Sequence, residues 1–161
     1  MSEDDLLAAL MDSLAAGPQV YARWCWSSGS DLAHHVRDLA AAAEAEWAHE
    51  AVQGAVGPTT AEEVREALGP VDRDTAIALL ADLSAGDLVF PDHTHRDRAH
   101  AERTARQVAS ILGPGAQWFT NTEGDWRNGR AWSPVTRFSF DGVVAGRGSG
   151  FVVVLLQVGE D

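Results

Sequence analysis

Six consecutive apolar residues, Phe151 to Leu156, narrow the folds open to this chain more than any other segment. An antiparallel strand with one wet face alternates apolar and polar residues; a strand that is apolar throughout needs cover on both faces. The stretch Phe151 to Val158 is therefore expected to be a central strand. It is far too short to cross a bilayer as a helix.

The hydrophobic period changes along the chain, and the change sets the fold class. After Gly113-Pro114-Gly115 the period is about 2, with strand candidates over 117–122, 135–140 and 151–158. Val143-Val144-Ala145 either extends the second strand or forms one of its own, and turns are expected at 123–130 and 147–150. Before that point the period is about 3.6. Ser2 caps a first helix whose first turn carries Glu3, Asp4 and Asp5. Gly17-Pro18 ends it. Val20 to Trp26 fits a strand and a helix nearly equally. A long helix is expected to run to about Gln53 with Leu32, Val36, Leu39, Ala43 and Trp47 on its buried face. Shorter helices follow over 61–68, 74–85 and 98–112, with a short strand over 87–91. The expected architecture is α+β in a single domain, 1–161. Helices fill 1–112 and pack on an antiparallel sheet of three to four strands over 116–161.

Charge bears on partners. Of 161 residues, 24 are acidic and 12 basic, all twelve arginine, for a net charge of -12. Such a chain is repelled by nucleic acid and anionic membranes and attracted to basic proteins. Arginine favours fixed, forked hydrogen bonding over diffuse phosphate attraction. The lack of lysine and the heavy use of Ala, Arg, Gly and Asp match the codon bias of a high-GC bacterial genome. Cys25 is the single cysteine, which excludes an internal disulfide and a multi-cysteine zinc site. The opening Met-Ser-Glu-Asp-Asp has neither the basic start nor the apolar run of a secretory signal, so a cytoplasmic location is expected.

Few motifs carry chemistry. The helix pair over 60–90 resembles a winged-helix reader, but its outward positions carry Asp72, Asp74, Asp82 and Asp87 against Arg73 alone. A recognition helix should offer Arg, Lys, Asn or Gln, so a packing role is expected and no DNA contact. Asp92-His93-Thr94-His95-Arg96-Asp97-Arg98 resembles the metal motif of metallo-β-lactamase-fold hydrolases. His93, His95 and Asp97 match, but Arg98 stands where the last histidine belongs and cannot ligate. No metal and no cofactor are expected; Asp92 or Thr94 should cap the helix that follows. Cys25, between two tryptophans with no arranged base evident, reads as an inert core thiol. The segment 146–150 reads as a hairpin turn, since a phosphate cradle would need a following helix.

The remaining feature is a tryptophan-rich hairpin. Trp118, Trp126 and Trp132 bracket a loop that mixes both charges, two glycines and an aromatic ring. These are the residue types of interface hot spots. Trp118 and Phe119 adjoin on a strand, so at least one is core. Trp126 either folds back on the sheet or anchors a partner. The partner-binding candidates are Glu123, Asp125, Trp126, Arg127, Arg130 and Trp132; there is no catalytic candidate.

The C-terminal third, with its Asn121 turn, Trp132-Ser133-Pro134, Phe140-Asp141 and acidic terminus, resembles the ends of small actinobacterial proteins of the immunity type for polymorphic toxins. The chain departs from them by lacking the aromatic, more acidic tail. The resemblance implies a binding role; with the acidic balance and the tryptophan loop, the expected function is an acidic immunity or antitoxin protein that neutralises a basic protein partner. The alternative is a small enzyme or ligand-binding domain with a pocket between helices and sheet. The sequence assigns no oligomeric state.

Overall fold

The computed structural model describes residues 1–27, 29, 31–123 and 131–160. The helices are α1 (Glu3–Leu14), α2 (Leu32–Glu46), α3 (Ala61–Ala67), α4 (Arg73–Ala85) and α5 (Arg98–Leu112). The strands are β1 (Val20–Trp26), β2 (Gly69–Val71), β3 (Gln117–Thr120), β4 (Thr122–Glu123), β5 (Ala131–Trp132), β6 (Phe140–Gly148) and β7 (Phe151–Gly159). Five of these make one antiparallel sheet in the order β1-β7-β6-β3-β2, and β4 and β5 form a separate two-stranded ribbon.

β7 is buried along its whole length, and its alternation shows why it needs no polar face. Phe151, Val153 and Leu155 pack against α1, α4 and α5 through Leu7, Ile77, Leu80 and Val108. Val152, Val154, Leu156 and Val158 pack on the other side against Leu32, Val36 and Leu39 of α2 and Val64 of α3. The sheet is thus the middle of three layers. Gln157, the polar residue in this strand, faces the α4 side and is fully used. Its amide nitrogen donates to Leu83 O (2.7 Å) and Gly86 O (3.0 Å), and its oxygen accepts from Leu88 N (2.8 Å).

β6 and β7 are joined by a two-residue turn in which Ser149 (φ 51°) and Gly150 (φ 84°) are both left-handed. That is the turn whose twist matches a tight hairpin. In β6, Gly146 lets the Trp118 indole lie flat on the sheet: a Cβ at 146 would stand 2.4 Å from that ring. Trp118 is core and Phe119 is half-buried on the opposite face.

The α+β class holds, with five helices and a five-stranded antiparallel sheet, but the sheet is not purely C-terminal. Val20–Trp26 is a strand and pairs with β7 along all seven residues, so the helical reading of 1–112 fails there. β2, between α3 and α4, forms the opposite edge.

The strand expected over 135–140 starts only at Phe140 and runs to Gly148. The backbone amides of Val135 and Thr136 are taken by the Asp141 carboxylate and cannot join a ladder. The strand expected over 87–91 fails for the same reason: Val89 N and Phe90 N donate to Asp87 Oδ1 and Leu88 N to Gln157. α2 ends at Glu46, with Trp47 as its C-cap, and does not reach Gln53. The cap of α5 is Asp97, not Asp92 or Thr94.

Candidate functional site

The hairpin singled out in the sequence is rooted in a buried polar hub. Asp141 on β6 is fully buried. Its carboxylate accepts from Asn121 Nδ2 (2.8 Å), Thr136 N (2.9 Å), Thr136 Oγ1 (2.8 Å) and Val135 N (3.2 Å). Asn121 in turn accepts from Val143 N (2.9 Å) and donates to Ser133 O (2.9 Å), while Ser133 N donates back to Asn121 O. A buried charge is tolerated only with such a complete set of donors. The hub fixes the base of the β4–β5 ribbon against the sheet.

In the ribbon, Thr122 pairs with Trp132 and Glu123 with Ala131. Glu123 is exposed. Trp132 is half-buried and stacked on Phe140, centroids 5.8 Å apart. It supports the ribbon rather than standing clear of it. Asp125, Trp126, Arg127 and Arg130 lie outside the described residues. A cleft of about 280 Å³ runs between β2 and the ribbon, lined by Val71, Asn121, Glu123 and Ser133 among others.

The charge around this edge is mostly acidic, with Arg65 of α3 and Arg73 of α4 set among the carboxylates. Glu62 and Glu66 of α3, Asp72 after β2 and Asp74 of α4 are exposed, and none has an ion-pair partner among the described residues. Six arginines are held in ion pairs, Arg37 and Arg137 with Glu44, Arg65 with Asp31, Arg23 with Asp38, Arg98 with Asp82 and Glu102, Arg106 with Glu102; Arg73 and Arg103 have no ion pair among the described residues. Along α3, β2 and the start of α4, exposed acids outnumber arginines.

The remaining sequence motifs have local roles. His95 Nε2 lies 2.9 Å from Asp87 Oδ2, the His93 ring packs on Phe90, and Asp97 accepts from Ala99 N as the cap of α5. Burial works against the Asp87 carboxylate, but hydrogen bonds from Phe90 N, His95 and Val89 N outweigh it and hold its pKa below the ordinary value. Among the described residues no three His, Cys, Asp or Glu side chains converge as ligands. α4, the second helix of the winged-helix-like pair, buries Ala76, Ile77, Leu80, Leu83 and Ser84 in the core.

Cys25 has a neighbour that the sequence spacing did not reveal: His35 on α2, with Sγ 3.5 Å from Nδ1 and 3.7 Å from Nε2. A sulfur nearly equidistant from both nitrogens lies along the lone pair of neither. Burial raises the Cys25 pKa despite Arg23, and burial lowers that of His35. Both shifts favour the neutral pair, the reverse of an activated thiolate. β1 and α2 lie on different layers, so only register and packing could bring these residues together.

A second cleft, about 200 Å³, opens between α2, α3 and the sheet, with Leu32, Leu68 and Phe119 as its apolar floor and Arg65 and Arg147 at its rim. Arg65 is paired with Asp31; Arg147 Nε donates to Gln117 Oε1 at 2.8 Å. On β1, burial and the Glu46 carboxylate push the Tyr21 pKa up to about 12. No helix among the described residues is long and apolar enough to cross a membrane. No family model, no curated protein and no solved structure matches this chain.

Proposed function

We propose that the protein is an acidic, stoichiometric binding protein of the immunity or antitoxin type, acting in the cytoplasm to neutralise a basic protein partner. The observation that carries this reading is the disposition of charge. Six arginines are held in ion pairs within the fold, and Glu62, Glu66, Asp72, Asp74 and Glu123 remain exposed along one edge. A basic partner, such as a nuclease with a cationic substrate groove, is steered to such a surface. The sequence between β4 and β5 carries Asp125, Trp126, Arg127 and Arg130, and Trp126 is the proposed anchor.

The test is a binding time course against the product of the neighbouring gene. Association should slow as salt rises, because long-range attraction is screened. Trp126→Ala should weaken the complex by about 2 kcal/mol or more, through faster dissociation, with little change in fold stability. A Trp126→Ala protein that melts early but still holds its partner would place Trp126 in the core and remove the anchor. Binding that does not respond to salt would remove the electrostatic argument.

The second reading, a ligand-binding domain, is supported by the cleft between Arg65 and Arg147. Its apolar floor and Arg147 suit a small organic carboxylate, with Arg65 already taken by Asp31, which also lines the cleft. Saturable shifts at Phe119 on titration with benzoate, lost in Arg147→Gln, would favour it.

A further inference from the structure

β1 is the sheet edge farthest from the ribbon, and among the described residues no strand pairs with its outer side. Its register with β7 determines which way each backbone group points. Val158 N donates to Gln19 O (3.0 Å) and Ser27 N donates to Gly150 O (2.7 Å). In an antiparallel pair the hydrogen-bonded residues alternate, so the odd-numbered residues of β1 bond to β7. The N–H and C=O groups of Val20, Ala22, Trp24 and Trp26 therefore point away from the sheet. Among the described residues no strand pairs with them and no hydrogen bond reaches them. A seven-residue edge with neither proline nor bulge is long and regular, the kind that proteins usually blunt or cover.

The surroundings say what fits. On the α2 side, Asp38 lies 3.8 Å from Arg23 with 60% of its side chain exposed, and Glu46 stands beside Tyr21. On the other side Trp26 is 58% exposed, its ring held by stacking on Phe151 at 4.8 Å. A strand added here meets Asp38 and Glu46 against the single cation Arg23 on one face, and an indole on the other. Both favour lysine or arginine, the second through cation–π attraction. A second copy of this chain would instead bring another net charge of -12.

We infer that the outer edge of β1 is a second docking site, which takes an extended basic segment of a protein partner by strand addition. The inference rests on the proposed function only for the sign of the partner's charge. The ribbon borders the opposite edge of the sheet, about 19 Å away at four strand spacings, so one segment cannot occupy both.

The test is amide hydrogen exchange on the full chain, with a short synthetic peptide alternating lysine and valine as the probe. In the protein alone, the amides of Ala22, Trp24 and Trp26 should exchange quickly while Tyr21, Arg23 and Cys25 are protected. With peptide at about ten times its Kd, the outward amides should slow by about tenfold. The same peptide N-methylated throughout, or with glutamate for lysine, should give no protection. Ala22→Pro removes one outward N–H without touching the β7 ladder and should abolish the effect; if that variant fails to fold, the N-methylated peptide still decides.

Protection of the outward amides without peptide, rising with protein concentration, would assign the edge to a second copy and overturn the inference. Equal protection by the glutamate peptide, or protection elsewhere only, would overturn it too. Loss of this site with the neighbouring gene product still binding would leave the proposed function standing.

Discussion

Replacing Asp141 with asparagine keeps the shape of the side chain and removes its charge. Among the described residues, the carboxylate accepts from Asn121, Val135 and the amide and hydroxyl of Thr136. An amide has one acceptor oxygen. Placed where Oδ2 now sits, that oxygen keeps Thr136 and Val135, and its NH₂ then faces the NH₂ of Asn121. Asn121 cannot turn to accept, because its oxygen is held by Val143 N and its nitrogen by Ser133 O. One buried donor–donor contact costs about 1–3 kcal/mol, and the surviving bonds lose their charge assistance, about 1 kcal/mol each. Relief from burying a charge works the other way. The net loss is about 3 kcal/mol, which for a chain of this length lowers Tm by about 10 °C. Thermal melts followed by circular dichroism, with urea titrations alongside, measure it. A Tm within a degree or two of wild type would refute the claim that this hub anchors the ribbon.

Val153→Asp should abolish cooperative melting, since the side chain is fully buried among Leu7, Ile77, Leu80 and Val108; an unchanged Tm would mean that the core is misplaced. His35 gives a pH dependence. Its folded pKa lies below the ordinary 6.5 because of burial, so the stability it contributes is present above that value and is lost as pH falls through the folded pKa. His35→Gln should therefore close part of its stability gap to wild type between about pH 7 and pH 5; parallel stability curves would show that His35 does not titrate differently on folding.

What was legible in the sequence follows from where backbone amides go. The helices α1, α4 and α5 and the strand β7 bury side chains in a regular period, and that period is visible in the chain. The strands that failed, over 135–140 and 87–91, have the right residues but surrender their amides to Asp141, Asp87 and Gln157, partners that no periodicity shows. β1 was ambiguous because edge position leaves it half-buried on both faces, which weakens alternation. At the candidate site, Trp132 was visible as an aromatic in a hairpin, but its stacking on Phe140 depends on the late start of β6. Asn121 and Asp141 were visible only as separate marks of a resemblance; their contact at 2.8 Å needs the pairing of β3 with β6. The Cys25–His35 contact depends on α2 crossing β1.

The lack of lysine has a structural counterpart. Glu44, whose side chain is 14% exposed, receives Arg37 from its own helix and Arg137 from the segment before β6. Asp82 on α4, 11% exposed, receives Arg98 of α5, which also reaches Glu102. A forked guanidinium can serve two carboxylates on different elements at once, where an ammonium offers a single point charge. Partly buried pairs of this kind are screened little by salt, whereas the exposed acids of α3 and α4 are screened strongly. Rising salt should therefore weaken attraction to a basic partner well before it loosens the fold, and the two effects can be read apart on the same protein. That separation is what the proposed electrostatic steering requires.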